Sequence, residues 1–234
     1  MVAIFLVFTI PPTPAANRDA SVPLFTKEIL QRLEENYESR PRSPAYTEVR
    51  HYMLRNARFK RESEMDVQVI RRADGALDFK VLKVSGSEQI FKRILEGEAT
   101  LSRLPVPERS LTASNYEFKL LGTESVRSNR CYVLQLIPRR KSKYLLQGRA
   151  WFDTETLGLV RLEGRPAASI SLWVGKPLIV QEFEQLNGAW TAVGSHTTAS
   201  TRILGTTELS IEHRDHHVVE SQDAANAMRI GLPR

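Results

Sequence analysis

The 234-residue chain contains a single cysteine, Cys131, so no disulfide bond can form within it. A domain of this length needs none, because it buries roughly 70% of the surface that its unfolded chain exposes. Cys131 lies in an apolar segment, Cys131–Leu134, where a buried and unreactive thiol is expected. A nucleophilic thiol would require an electropositive environment. One large domain without covalent cross-links is therefore predicted.

The sequence also lacks an apolar run of the about 20 residues that a transmembrane helix requires. The run at the start, MVAIFLVFTI, is about half as long and is followed by a Pro- and Ala-rich stretch that ends at Ala16. An apolar core before small residues is typical of a secretory signal, with cleavage after Ala15 or Ala16. We expect residues 1–16 to be a signal peptide that lacks basic residues before the run, either because the signal is atypical or because its start is truncated. The alternative is an N-terminal strand or the start of a buried helix.

No cysteine follows the apolar run, so lipid attachment at a processed N-terminal cysteine is not expected. We therefore expect an exported, soluble protein.

Catalytic motifs are missing as well. The chain has no G-x-S-x-G, no Walker loop, no paired cysteines and no HExxH zinc signature. Asp153 and Glu155 flank a predicted turn, which is ordinary hairpin chemistry. We expect neither an enzyme nor a bound cofactor.

A metal site at the end of the last predicted strand is the one enzymatic alternative. Strict alternation would place His213, Asp215 and His217 on one face, within reach of a single metal ion. However, Leu209 and Ile211 share that face, and no further ligand cluster completes a coordination shell. We therefore expect a strand end that leaves the core, with no metal.

Acidic residues are too few to balance the basic ones: the formal net charge is +6 and the isoelectric point is near 9.6. A basic exported protein meets anionic headgroups and cell-wall polymers, and no nucleic-acid partner is expected. The densest basic cluster lies at a predicted hairpin tip, either as a solvated turn or in contact with an anionic membrane surface. It comprises Arg139, Arg140, Lys141 and Lys143.

Two segments have helical periodicity. Apolar residues recur at helical spacing from Thr26 to Glu38 and again from Ser87 to Leu104, which predicts two amphipathic helices. Prolines close the second. The rest, up to about Val219, consists of short apolar segments rich in β-branched and aromatic residues and separated by turn residues, the pattern of an antiparallel meander.

Two hairpins can be registered from their turns. A turn centred on Thr156 and a type I′ turn at Asn187-Gly188 define the expected cross-strand pairs. The first hairpin should pair Phe152 with Val160, Ala150 with Leu162, Trp151 with Arg161, and Arg149 with Glu163. The second should pair Phe183 with Ala192 and Gln185 with Trp190.

An antiparallel sheet with one apolar face must cover that face, close on itself or hold something against it. The strand and turn motifs that carry this pattern resemble the outer-membrane lipoprotein-sorting (LolA/LolB-like) superfamily. They are YEFKLLG from Tyr116, CYVLQLIP from Cys131, GRAWFD from Gly148 and VRLEG from Val160.

The resemblance implies an α+β, mainly antiparallel fold: a half-open β-barrel of about eleven strands with helices over its concave face. It implies one domain over residues 17–219, with 220–234 as a C-terminal tail, and a periplasmic location. In the carrier members of the superfamily the cavity holds acyl chains of a lipoprotein, and other members bind regulatory proteins as envelope-stress sensors.

We therefore hypothesise an apolar cavity that holds acyl chains of a lipid or lipoprotein, with the two helices as a lid and membrane-associated donor or acceptor proteins as further partners. The expected wall residues, all on predicted inward faces, are Phe118, Leu134, Phe152, Leu162, Phe183 and Trp190. The alternative is a protein-binding sensor or scaffold on the same fold. Trp151, Trp173 and Trp190 would serve in a filled core or a lined cavity equally well.

Overall fold

The computed structural model describes residues 26–38, 45–72, 74–170, 175–186, 188–201 and 205–218. Helix α1 spans Thr26–Glu38 and helix α2 spans Glu88–Arg103, as the periodicity predicted. A 3-10 turn follows at Val106–Glu108. None of the helices in this part of the chain is long and apolar enough to span a bilayer.

The described residues form ten strands in one sheet. They are β1 (Tyr46–Asn56), β2 (Arg61–Arg71), β3 (Leu77–Ser85), β4 (Tyr116–Val126), β5 (Asn129–Pro138), β6 (Leu146–Asp153), β7 (Leu159–Pro166), β8 (Leu178–Leu186), β9 (Ala189–Thr201) and β10 (Gly205–Val218).

The sheet is antiparallel throughout, in the order β3-β2-β1-β10-β9-β8-β7-β6-β5-β4. Its outermost strands, β3 and β4, are joined in sequence through α2 and are not hydrogen-bonded to each other, so the barrel is incomplete. The predicted fold class is confirmed, with ten described strands where about eleven were expected.

The predicted registers are confirmed at all but one position. Ala150 lies opposite Leu162, Trp151 opposite Arg161, and Arg149 opposite Glu163. In the second hairpin Phe183 lies opposite Ala192, and Gln185 opposite Trp190. The pairing of Phe152 with Val160 was wrong: a bulge after Trp151 inserts Val160, so Phe152 faces Leu159. A bulge places two residues of one strand opposite one of the other.

Two apolar clusters lie along the sheet. The first core cluster is built on β4 to β9 and includes Ile29 of α1 and Leu101 of α2. The second core cluster is built on β1, β2, β3 and β10 and includes Phe91 and Ile94 of α2. Helix α2 therefore contributes to both clusters.

Candidate functional site

The six predicted wall residues lie on one face of the sheet. Phe118 pairs with Leu136, Leu134 with Ala150, and Ala150 with Leu162, and paired residues lie on the same face of a sheet. Along each strand, every second side chain lies on that face. Continuing through Gln181 and Ser195 to Ile211, the same face reaches Tyr52 of β1. Because Tyr52 contacts α2, this is the helix-bearing face, here called the inner face.

All six wall residues belong to the first core cluster or pack against it. Five are nearly inaccessible: Leu134 and Leu162 are 0% exposed, and Phe152, Phe183 and Trp190 are at most 5% exposed. Phe118 is partly buried and packs against them. The indole N–H of Trp190 donates to Thr156 Oγ1 at 3.0 Å, which fixes the ring in the cluster.

Helix α1 covers part of this cluster. Ile29 is completely buried in it, and Leu30 and Leu33 pack against it on the same side of the helix. An apolar stripe at positions i, i+1 and i+4 is the usual way in which an amphipathic helix buries one face. The wall residues are therefore closed off by α1 and by Leu101 of α2.

A cavity of about 220 Å³ opens beside the first core cluster, between α2 and the turn that joins β5 to β6. Its lining consists of Arg93, Glu96, Gly97, Thr100, Leu101, Lys143 and Tyr144. Leu101 and Tyr144 also contact the cluster, so the cavity reaches its border, although none of the six wall residues lines it. A second cavity, of about 500 Å³, lies where β1 turns into β2, and none of the six wall residues lines it either.

The other tryptophans take different positions. Trp151 lies on the face opposite to Phe152, where the guanidinium groups of Arg149 and Arg161 stack at 5.0 and 5.6 Å from its ring. Its indole N–H donates to Glu124 Oε2 at 2.8 Å. Trp151 is therefore a packing residue outside the wall. Trp173 lies outside the described residues.

A buried polar cluster interrupts the inner face on β1. Arg50 is 0% exposed and lies between two buried carboxylates: its Nε donates to Glu48 Oε1 at 2.6 Å and its Nη1 donates to Glu98 Oε2 at 2.5 Å. The Tyr52 hydroxyl donates to the Glu98 carboxylate at 3.1 Å. Since Glu98 belongs to α2, this cluster attaches the helix to the sheet. The Nη2 atom of Arg50 has no hydrogen-bond partner among the described residues.

Two histidines of β10 complete the polar cluster. His213 Nδ1 lies 3.1 Å from Glu48 Oε1, and His216 Nδ1 lies 3.2 Å from Glu48 Oε2. The expected grouping of His213, Asp215 and His217 was wrong, because β10 bulges opposite Glu48 and Asp215 adopts a positive φ of 51°. The extra residue turns His216 inward and leaves Asp215 and His217 exposed. Within the described ranges no group of three potential ligands is placed to hold a metal ion.

Burial and charge shift the two carboxylates of the cluster in opposite directions. Burial disfavours the ionised form of Glu48, but Arg50 and His213 outweigh it and hold the pKa of Glu48 well below its usual range. For Glu98 burial dominates, and the attraction of Arg50 offsets it only in part, so the pKa of Glu98 is raised. The cluster therefore combines a firmly ionised carboxylate with one that protonates more readily.

The sequence contains an indication of this cluster that apolar periodicity alone does not reveal. Glu98 occupies a position in the apolar stripe of α2, four residues after Ile94 and three before Leu101. On β1, Glu48, Arg50 and Tyr52 alternate on one face. An acid in an apolar stripe together with a base on a strand indicates a buried ion pair.

The basic cluster from Arg139 to Lys143 has contacts of its own. Arg139 Nε donates to the carbonyls of Ala113 and Tyr116, at 2.8 and 3.2 Å, and Arg140 Nη2 donates to the carbonyl of Glu108 at 2.9 Å. The two arginines tie this turn to the loop before β4 while both remain exposed. A contact with an anionic surface stays a prediction.

The lone cysteine is buried, as expected. Cys131 is 0% exposed, and burial, followed by the charge of Asp153, raises the pKa of its thiol to about 11. Because the thiolate is the reactive form, this thiol is unreactive near neutral pH.

No known protein family and no curated protein matches the chain. Solved structures are similar to it at low identity. A LolA superfamily protein from Nitrosomonas europaea is 13% identical, with 86% of this chain and 96% of that chain covered and a TM-score of 0.45. A putative outer membrane lipoprotein-sorting protein domain from Vibrio parahaemolyticus is 12% identical, with coverages of 79% and 91% and a TM-score of 0.44.

A DUF1329 family protein from Desulfovibrio piger is 14% identical, with coverages of 82% and 91% and a TM-score of 0.43.

Proposed function

We propose that this protein binds an acyl chain of a lipid or lipoprotein between the inner face of its sheet and helices α1 and α2, as a carrier in the periplasm. The supporting observation is the cavity of about 220 Å³ beside Leu101 and Tyr144, which reaches the border of the first core cluster. All six wall residues belong to or pack against that cluster. The proposal involves no catalytic step and no cofactor.

In this proposal the acyl chain enters through the cavity and then passes between the wall residues and the two helices. A volume of 220 Å³ is below the about 300–1,000 Å³ of typical ligand sites. An acyl chain therefore has to displace Leu101 and the apolar side of α1 as it enters. Each CH₂ group transferred from water contributes about 0.8 kcal/mol of favourable free energy, which offsets the free-energy cost of separating these side chains.

The charges at the mouth suit an anionic head group. Arg93 of α2 and Lys143 of the β5–β6 turn both line the cavity, and Lys143 Nζ lies 5.0 Å from the centre of the Tyr144 ring. A phosphate or carboxylate head group would lie between these cations while its chain passes Leu101. Glu96 at the same mouth would favour head groups that also carry an amine.

Native mass spectrometry followed by lipid extraction tests the proposal. The purified protein is expected to carry lipid, or to bind a fluorescent fatty acid after delipidation. Thr100→Trp, which fills the cavity from an exposed position, is expected to weaken binding about tenfold or more; Lys92→Trp, exposed on α2 outside the cavity, is the matched control. Protein that stays empty and binds no fatty acid would overturn the acyl-chain function.

The second candidate is a protein-binding sensor or scaffold. The observation that favours it is the edge strand β3, where Val81, Leu82 and Val84 are exposed. Exposed strand edges offer unpaired backbone groups to a partner chain. In the same experiment, an empty protein whose wall residues remain closed would favour this candidate, as would its stable pull-down of a periplasmic protein that Leu82→Lys abolishes.

A further inference from the structure

The strand directions place the basic turns of the molecule at one end of the sheet. From β1 through β10, β9, β8, β7 and β6 to β5, every neighbouring pair is antiparallel. Strands β1, β5 and β7 therefore run in the same direction and finish at the same end. The connections that leave them meet there: residues 57–60, 139–145, and the described parts of the β7–β8 connection, 167–170 and 175–177. We call this end the basic rim.

The rim connections contain basic residues and no acidic ones. They carry Arg58, Lys60, Arg139, Arg140, Lys141, Lys143 and Lys176, with no aspartate or glutamate. Helix α2 and the segment before β4, which adjoin the same end, add Glu88, Glu96 and Glu108 beside Lys92, Arg93 and the buried Arg109, and so contribute no net charge. The imbalance at this end is therefore strongly positive.

The opposite end of the sheet has no such imbalance. Its described connections carry Arg72 and Arg127 together with Asp74 and Glu155. Both arginines are already paired there, Arg72 with Asp78 at 2.5 Å and Arg127 with Glu182 at 2.5 Å. The excess of positive charge is therefore a property of one end, although the sequence distributes it along the chain.

An exposed aromatic ring protrudes from the rim. Phe59 is 52% exposed at the tip of the β1–β2 turn, between Arg58 and Lys60. The turn is held by hydrogen bonds: the Phe59 N–H donates to Asn56 Oδ1 at 3.0 Å, and the Ala57 N–H donates to the carbonyl of Thr206 at 3.2 Å. The structure thus presents an apolar group outward from an ordered turn, with cations on both sides.

We propose that the basic rim docks on the surface of an anionic lipid bilayer, with Phe59 inserted into its interfacial layer. Basic side chains near an anionic surface each contribute about 1 kcal/mol in free energy, or roughly fivefold in partitioning. An aromatic ring placed at the headgroup level adds apolar transfer to this attraction. A soluble anionic polymer would bind the basic side chains but would not bury the protruding Phe59 ring. A bilayer binds the basic side chains and also buries the ring.

Docking at this rim orients the cavity mouth toward lipid. Lys143 and Tyr144 line the cavity and belong to the 139–145 turn of the rim. The docking itself does not depend on the proposed acyl-chain binding, since it requires no guest in the cavity. If the protein binds membranes but never holds a lipid in its cavity, the docking inference stands and the proposed acyl-chain function is wrong.

Co-sedimentation with vesicles tests the docking. The full chain is expected to partition onto vesicles of phosphatidylglycerol and phosphatidylcholine in equal parts more strongly than onto phosphatidylcholine alone, and this difference should shrink as added salt shortens the Debye length. Replacing Arg58, Lys60 and Lys141 together by Gln is expected to reduce partitioning about 100-fold. Phe59→Ser is expected to reduce it about tenfold. Because every variant keeps the apolar N-terminal run, its contribution cancels.

Matched controls separate the rim from the overall charge. Replacing Lys80, Lys83 and Lys119 by Gln removes the same charge from exposed strand positions, and Leu121→Ser removes an apolar side chain that is 50% exposed. Both are expected to partition like the wild type. Equal losses in the rim and control triple variants would overturn the inference, as net charge alone would then explain binding. So would an unchanged Phe59→Ser variant together with equal binding to soluble polyphosphate.

Discussion

Arg50 Nη1 and Glu98 Oε2 lie 2.5 Å apart, in two completely buried side chains that are 48 positions apart in the sequence. This contact attaches α2 to the sheet through a charge pair, between the apolar contacts that Ile94 and Leu101 make on either side. Since Arg50 also pairs with Glu48, one cation compensates two buried carboxylates. This guanidinium group therefore helps to hold the helix over the inner face, together with the Tyr52 hydroxyl and the apolar contacts of α2.

Replacing Arg50 by Met is expected to destabilise the protein by about 3–5 kcal/mol near neutral pH, because two carboxylates would be left buried without their cation. The loss should depend on pH. In the wild type the depressed pKa of Glu48 contributes stability above its unfolded value of about 4.5 and loses it as the pH falls. In the variant both carboxyl groups protonate more readily, so the difference in unfolding free energy should shrink at acid pH.

Denaturant unfolding of both proteins, at about pH 7 and in steps below pH 4.5, measures this difference. Arg55→Met is the matched control, because Arg55 lies on the same strand, is 65% exposed and pairs with Glu62 at 3.2 Å. It should cost no more than about 1 kcal/mol at any pH. A loss in Arg50→Met that stays constant across the pH range would contradict the assigned cluster.

Gly158→Ala is expected to disturb Trp190 in the predicted wall. A Cβ atom at residue 158 would lie 2.0 Å from Trp190 Nε1, so the indole ring has to shift and loses its hydrogen bond to Thr156. Overpacking of this kind costs about 1–3 kcal/mol. The control Gly194→Ala places a Cβ at an ordinary 3.4 Å from the Ile211 carbonyl. Tryptophan emission should change in the first variant only; an unchanged spectrum and midpoint in both would refute the contact.

Ile29→Ser is expected to loosen α1 without unfolding the sheet. Ile29 is fully buried, the only such residue among the α1 side chains that the structure describes, and loss of a large buried side chain costs about 2–5 kcal/mol. If α1 covers the wall as a lid, the variant should bind an apolar fluorescent dye or fatty acid more readily while its strand content by circular dichroism stays constant. Lys27→Ser, exposed on the same helix, should behave like the wild type. A global loss of structure in Ile29→Ser would show that α1 is part of the core and not a lid.

The helices and hairpins could be predicted because their signals are local. Both helix ranges follow from apolar spacing and from the prolines after α2, and the registers around Ala150 and Phe183 follow from turn geometry. The errors arose where a bulge inserted one residue, at Val160 and at Asp215. Beyond a bulge, side chains lie on the face opposite to the one that strict alternation predicts, and nothing in the neighbouring residue types indicates the position of the bulge.

By itself, the sequence determined the alternation of strands and helices, the apolar character of the inner face and which apolar residues share that face. These follow from periodicity, which is a property of neighbours in the chain. Tertiary structure alone decided that Glu98 reaches Arg50, that His216 rather than His217 faces Glu48, and that basic turns distant in sequence share one end of the sheet. The physical reason is that ion pairing and surface potential depend on distance in space, which strand order and bulges set.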